Sequence, residues 1–218
     1  MDASLWVAKT GLNAQQTRMT VIANNLANVN TTGFKRDRPV FEDLLYQNIR
    51  QAGGQTGADT NAATGFMLGT GTRIVATEKI QSQGNMMATE NALDLAIEGP
   101  GLFQIVQADG TIAYTRDGGF KLSQDGELVT SQGLLLQPQI LVPAEAASVT
   151  VGSDGTVSAE LANGGGNQQL GQIQIARFVN GAGLESLGQN LLRETTASGA
   201  PIILVPGEQG AGQIAQGM

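Results

Sequence analysis

Apolar side chains recur at a strict seven-residue spacing at the start of the chain. One row of this heptad pattern consists of Leu5, Leu12, Met19 and Leu26. The second row, which only Gln15 interrupts, consists of Met1, Ala8, Ile22 and Val29. This period predicts an α-helix whose stripe forms a coiled-coil seam, although a helix can also bury a stripe against its own globular domain. No other segment repeats the period, so we expect the helix to need a partner helix.

Asparagines cluster where this predicted helix ends, in the stretch ANNLANVNTTGFKR at residues 23–36. Asparagine is a poor helix former, and its amide both donates and accepts hydrogen bonds. Asn24, Asn25 and Asn28 fall on or beside the last helical turns, and Gly33 permits a non-helical turn beyond them. Two interpretations remain open. The asparagines cap the helix within the chain, or they form a polar network that fixes the register between like subunits.

The next segment carries two different patterns. Residues 37–50, DRPVFEDLLYQNIR, predict a short second helix, with Pro39 in its first turn and an apolar face formed by Phe41, Leu44, Leu45 and Ile49. Residues 51–71 are rich in Gly, Thr, Ala and Asn and contain few large apolar side chains. This composition predicts a loop or an extended connector.

Short alternating segments follow, separated by Asp-Gly and other glycine-rich turns, as in LFQIVQADGTIAYTRDGGFKLSQDGELVT at residues 102–130. This pattern predicts successive β-hairpins. The predicted fold class is therefore α+β. It consists of a helical arm at 1–34, a short helix and connector at 35–80, an antiparallel β domain at 81–205, and a glycine-rich return segment at 206–218.

The composition excludes several kinds of chemistry. The chain has no cysteine and no histidine, so it cannot form Ser-His-Asp or Cys-His nucleophile systems or the usual zinc sites. A carboxylate mechanism needs only Asp and Glu, but Asp109, Asp117, Asp125 and Asp154 each precede a glycine, which is typical of a turn. We expect no enzyme activity, metal or cofactor. A net charge of −7 and the lack of a long apolar run argue against binding nucleic acid and inserting into membranes.

The asparagine-rich stretch resembles the N-terminal signature of the flagellar rod and hook axial proteins. Other stretches are similar to the distal rod members of that family, and the similarity runs from about residue 4 to the end of the chain. They are SLWVAKTGLNAQQTRMTVIANNLANVNTTGFKR, FEDLLYQNIRQ, GTGTRIVATEKIQSQGN, AYTRDGGF and GLESLGQNLLRETTASGAP.

The resemblance implies a fold. In the family, the N-terminal helix pairs with a C-terminal helix in a coiled coil, a β-rich domain lies outside it, and many copies stack helically into a hollow tube. Family members continue beyond the position of Met218 into the second helix, so we expect this chain to lack that partner helix. The assembly residues that the resemblance implies are Leu5, Ala8, Leu12, Met19, Ile22 and Leu26 in the seam and Asn24, Asn25, Asn28 and Gly33 in the signature.

The resemblance also implies a function without chemistry. The distal rod is a rigid drive shaft that transmits torque from motor to hook, spans the periplasm to the outer membrane, and passes exported subunits through its bore. The implied partners are further copies of the chain, proximal rod proteins, hook or hook-junction proteins, the P-ring and L-ring proteins, and the type III export apparatus. The alternatives are a sister axial protein of the proximal rod or hook and a carboxylate-dependent peptidoglycan-degrading enzyme.

Overall fold

A computed structural model of the chain describes residues 3–57, 60–61, 63–162 and 166–218. The chain folds as two units, and it passes between them three times. Unit 1 comprises Met1–Val29 and Arg36–Ile80. Unit 2 comprises Asn30–Lys35 and Gln81–Met218, so the middle of the asparagine-rich signature folds with the larger unit.

Unit 1 contains the predicted N-terminal helix, α1, which spans Ala3–Ala27. Six strands follow: β1 (Asp37–Asp43), β2 (Tyr46–Arg50), β3 (Gln55–Gly57), β4 (Thr60–Asn61), β5 (Phe66–Gly69) and β6 (Thr72–Lys79). They pair antiparallel in nested order, with β1 on β6, β2 on β5 and β3 on β4. The helix packs against the outermost pair, β1 and β6.

The short helix predicted at residues 37–50 is wrong, because this segment forms β1 and β2. Its apolar residues fit either a helical or a strand period, and the pairing of β1 with β6 favours the strand. Pro39 is tolerated because β1 belongs to a two-stranded sheet, where a residue without an N–H can face away from its neighbour. The predicted connector at 51–71 contains strands β3 to β5, and its residues 58, 59 and 62 lie outside the described residues.

Unit 2 consists mainly of antiparallel strands. Its elements are β7 (Leu95–Glu98), β8 (Leu102–Val106), β9 (Ile112–Thr115), β10 (Lys121–Leu122), β11 (Leu128–Val129), β12 (Leu135–Gln137), β13 (Ala146–Val151), β14 (Thr156–Leu161), β15 (Asn167–Gln172), β16 (Ile175–Arg177), a 3-10 turn (Gly181–Gly183), β17 (Glu185–Gly188), β18 (Leu191–Arg193), β19 (Ile202–Leu204) and β20 (Gln213–Gln216). The main sheet has the order β10-β11-β12-β8-β9-β18-β17, and β16 joins β8 to β19. Strands β13, β14 and β15 form a second sheet, and β7 pairs with β20.

Strand β8 lies at the centre of this unit, since β9, β12 and β16 all pair with it. Phe103 and Ile105 on one of its faces are fully buried in the main apolar core, where the ring of Phe103 meets Phe120 edge-on at 5.2 Å. Leu102 on the other face packs into a second cluster with Tyr114 and three aliphatic residues. Burial of large side chains on both faces stabilises the sheet around β8.

Three Asp-Gly pairs lie in tight hairpin turns, as predicted. They are Asp109–Gly110, Asp125–Gly126 and Asp154–Gly155, and each glycine has a φ near +80°. Asp117 differs, because β9 and β10, which flank it, are not neighbours in the sheet. The segment 206–218 ends in β20, which pairs with β7 and buries Ile214.

Candidate assembly site

The described residues contain neither a cluster of three or more acidic side chains that could hold a metal ion nor a helix long and apolar enough to cross a membrane. The predicted site residues all lie on α1 or in the signature that follows it.

Helix α1 has two different faces. The face that packs within unit 1 consists mainly of small or polar residues, such as Gly11, Ala14 and Thr17, together with Val21, and Ala14 is buried. Small side chains let the helix backbone lie close to β1 and β6, and the Thr10 hydroxyl oxygen accepts a hydrogen bond from the Thr72 N–H at 3.4 Å. The helix is thus anchored without using its large apolar residues.

The heptad stripe lies outside this contact. Its large residues are between 49% and 71% exposed: Leu5, Leu12, Met19, Ile22, Leu26 and Val29. Ala8 is also exposed, and Met1 lies outside the described residues. A contiguous row of large apolar side chains on a surface is typical of a protein–protein contact. The structure therefore leaves the predicted seam residues available for another helix.

The asparagines have different environments. Asn25 bonds twice to the backbone of Asp37, as donor to its carbonyl and as acceptor from its N–H. The Asn28 amide donates to the carbonyl oxygen of Asn24 at 2.9 Å and to its side-chain oxygen at 3.2 Å. Both arrangements act within the chain and secure the end of α1, which supports the capping interpretation.

Gly33 lies in a loop of unit 2 and has a φ of +70°. A Cβ atom at this position would lie 2.6 Å from the backbone nitrogen of Asp117. The neighbouring Thr32 hydroxyl donates to Asp117 Oδ1 at 3.1 Å, and the Asn190 amide donates to the Thr32 carbonyl at 2.9 Å. The signature loop 30–35 is therefore fixed on the loop around Asp117, in a close approach that requires glycine.

Sequence reasoning missed Arg116, which organises the same region. Its guanidinium donates to the carbonyl oxygens of Ile97, Gly99 and Gly101 and to the side-chain oxygen of Gln83. Burial lowers the pKa of Arg116 to about 10, so the side chain stays protonated at neutral pH. An isolated arginine has no motif in the sequence, and its partners come together only in the folded sheet.

Comparison with known proteins places these features in one family. Residues 5–35 match the family described as flagella basal body rod protein, and residues 96–159 match the D1 domain of the flagellar hook protein FlgE/F/G family. The flagellar basal-body rod protein FlgG of Buchnera aphidicola subsp. Schizaphis graminum is 52% identical over 217 residues, which cover 100% of this chain and 84% of the relative.

Two relatives from distant bacteria agree with this match. The FlgG proteins of Borreliella burgdorferi and Bacillus subtilis are 47% and 40% identical, and each alignment covers 100% of this chain and 83% of the relative. These similarities favour the distal rod over the sister axial proteins and over a peptidoglycan-degrading enzyme. The chain belongs to the flagellar basal-body rod protein FlgG family and is a structural subunit, not an enzyme, of the distal rod in the flagellar basal body.

Proposed function

We propose that the exposed heptad stripe of α1 is the coiled-coil seam through which copies of this chain assemble into the rod. One observation carries the proposal. The helix already buries its face of small residues on β1 and β6, yet Leu5, Leu12, Met19 and Leu26 stay largely exposed on the rest of its surface. A helix that needed only its own domain would place these large residues in the contact.

The energy of such a seam suits a polymer. Full burial of one large aliphatic side chain stabilises a contact by about 1.5–3 kcal/mol. A few of these residues per copy are enough, because a helical tube repeats the same heterologous contact many times. The family resemblance implies that a C-terminal helix forms the second helix of the coiled coil, and the described residues after α1 form no other α-helix.

In this proposal, some residues of the asparagine-rich signature stabilise the chain internally and others lie at the contact between copies. Asn25 and Gly33 fix the chain internally, as their contacts with Asp37 and Asp117 indicate. Asn28 donates to Asn24 within the chain and so holds the exposed Asn24 beside the stripe, and we place this bonded pair at the contact between neighbouring copies as well. A polar pair beside an apolar seam restricts the register in which two helices can pack.

The assembled rod acts as a hollow drive shaft. In this proposal the rod spans the periplasm to the outer membrane, transmits torque from the motor to the hook, and passes exported axial subunits outward through its bore. Membership of the rod and hook family supports contacts with other axial proteins. The proximal rod, the hook or hook-junction proteins, the P-ring and L-ring proteins and the type III export apparatus are the partners that this role requires.

Substitution of the seam tests the proposal. Leu12→Asp and Met19→Asp place a charge in a layer that assembly would bury, which costs several kcal/mol. Asn13→Asp is the matched control, because it adds the same charge at an exposed position next to the stripe. We expect basal bodies from strains with either seam variant to lack the distal rod and hook in electron micrographs, and the control to assemble.

The fold of the purified variants is measured in parallel by circular dichroism. We expect the β signal of unit 2 to be unchanged in all three proteins, since none of the substitutions touches that unit. Complete rods formed by Leu12→Asp and Met19→Asp would contradict the seam assignment. Loss of rods in Asn13→Asp as well would show that charge anywhere on α1, and not the stripe, controls assembly.

A further inference from the structure

Unit 2 contains an open cleft of about 450 Å³ whose charged lining is entirely basic. The cations are Lys35 from the signature loop, Arg116 from the loop after β9, and Arg177 from the end of β16. Apolar side chains, including Pro100, Leu102 and Phe178, form much of the remaining wall, and no Asp or Glu lines the cleft.

These cations have neutral partners within the chain. The Lys35 ammonium donates to the carbonyl oxygen of Ser82 at 2.7 Å, and Arg116 bonds to carbonyl and amide oxygens. Burial and the charge of Arg116 lower the pKa of Lys35. Among the described residues, the guanidinium of Arg177 donates a single hydrogen bond, to the carbonyl oxygen of Gln209 at 3.5 Å.

Four of the nine other basic residues in the described part of the chain form salt bridges. Salt bridges of 2.7–3.0 Å pair Arg38, Arg73, Lys79 and Arg193 with carboxylates. None of these described salt bridges includes a cation of the cleft. Partly buried cations with neutral partners, such as Lys35 and Arg116, are unfavourable, and together with the exposed Arg177 they create a site of positive potential. The cleft is therefore complementary to an anion.

We propose that this cleft receives an Asp or Glu side chain from a second copy of this chain in the assembled rod. The inference rests on the proposed self-assembly. Charge complementarity selects the occupant, because the chain carries 19 acidic and 12 basic residues and each neighbouring copy therefore presents an excess of carboxylates. The apolar wall accommodates the aliphatic part of such a side chain, and the mouth of the cleft holds its carboxylate beside Arg177 and Lys35.

Photo-crosslinking in assembled basal bodies tests the contact. A benzoylphenylalanine at Gln81, an exposed residue of the cleft lining, reports what enters the cleft, and the same probe at the exposed Gln132 serves as control. We expect Gln81 to yield a crosslinked pair of copies, attached through a peptide that contains Asp or Glu. Gln132 is expected to give much less of this product.

Charge reversal tests the chemistry of the contact. In the Gln81 probe strain, Arg177→Glu is expected to lower the yield of crosslinked pairs about tenfold, because it replaces attraction by repulsion at the contact. Lys121→Glu makes the same charge change at an exposed residue of β10 and is expected to leave the yield unchanged. An unchanged yield in Arg177→Glu would overturn the proposal, as would attachment to a different protein.

A third probe separates failure of this inference from failure of the proposed function. Benzoylphenylalanine at Leu12 reports the seam. If Leu12 crosslinks to an axial helix and Gln81 gives no pair of copies, the rod assembles as proposed and the cleft has another role. If neither position crosslinks to a second copy or another axial protein, the proposed assembly through α1 fails as well.

Discussion

The side-chain amide of Asn25 bonds in both directions to the backbone of Asp37. Its Nδ2 donates to the Asp37 carbonyl oxygen, and its Oδ1 accepts from the Asp37 N–H, with both distances at 2.9 Å. The amide thus pairs with the first residue of β1 much as a neighbouring strand would. This contact ties the last turns of α1 to the start of the β1–β6 pair.

The variant Asn25→Asp tests this link with almost no change in shape. A carboxylate cannot donate to the Asp37 carbonyl, and its charge is repelled by that oxygen. We expect unit 1 to be destabilised by about 1–3 kcal/mol, the cost of a partly buried hydrogen bond whose acceptor is left unsatisfied. Faster hydrogen exchange of the β1 and β6 amides would report this loss.

Asn13→Asp is again the matched control, since it makes the same chemical change on an exposed part of α1. We expect its exchange rates in β1 and β6 to equal those of the unmodified protein. Equal exchange in both variants would show that packing of α1 on the strands, and not the Asn25–Asp37 pair, holds this end of the helix.

Arg116 provides a second prediction, this time for unit 2. Lysine keeps the charge but replaces a planar guanidinium with a single ammonium, which cannot span the carbonyls of Ile97, Gly99 and Gly101. Arg116→Lys is therefore expected to destabilise unit 2 by about 1–3 kcal/mol in urea unfolding, because partly buried carbonyls lose their donors.

The control for this prediction is Arg193→Lys. Arg193 is 54% exposed at its side chain and pairs with Glu185 at 2.7 Å, a surface contact that lysine can replace. We expect a change well below about 1 kcal/mol in this variant. Similar unfolding midpoints for the two variants would mean that the charge of Arg116, and not its geometry, stabilises the loops around it.

The sequence predicts features whose cause is local. The heptad stripe predicts α1, and the predicted helix is confirmed over Ala3–Ala27. Alternating segments with Asp-Gly turns likewise predict the hairpins β8–β9, β10–β11 and β13–β14, because turn and strand signals lie within a few residues of one another. The exposure of the stripe also follows from its period and from the absence of a second heptad segment.

Features that depend on residues far apart in the sequence were not predicted. The spacing of Phe41 and Ile49 fits a helical face as well as a strand. Their segment forms strands because β1 pairs with β6 and β2 pairs with β5. Asp117 has the same Asp-Gly signal as Asp109, yet its carboxylate accepts a hydrogen bond from Thr32, 85 residues earlier. No local sequence pattern predicts such a contact. The position of the signature loop against the loop around Asp117 is therefore seen only in the folded structure.

Tyr114 gives a prediction for alkaline pH. Its hydroxyl lies 3.3 Å from Glu194 Oε2, and burial together with the charge of Glu194 raises its pKa from 10.0 to about 12. Because the protonated phenol is favoured in the folded state, its contribution to stability is complete below pH 10 and is lost as pH rises towards about 12. In Tyr46→Phe, which leaves Tyr114 as the only tyrosine, ultraviolet titration of the folded protein should give a midpoint well above 10.

A second variant checks the link to stability. Tyr114→Phe removes the titrating group but keeps the ring that packs edge-on against Phe178. We expect the decline of its unfolding free energy above pH 10 to be shallower than in the unmodified protein. Identical slopes would mean that the environment of Tyr114 does not favour the protonated form.

Gly33 separates two costs that usually occur together, the strain of a left-handed backbone and a steric overlap. Gly33 and Gly110 have φ angles of +70° and +81°, so alanine is strained at either position. Only at Gly33 does the added Cβ also meet backbone, 2.6 Å from the Asp117 nitrogen, since the space around Gly110 is open within 4 Å.

Gly110→Ala should therefore cost about 1 kcal/mol, the usual strain of a residue in this conformation. Gly33→Ala should cost clearly more in urea unfolding, because the signature loop must also move away from Asp117. Equal costs would show that the loop yields without loss, and the close approach of these two segments would then contribute little to the stability of unit 2.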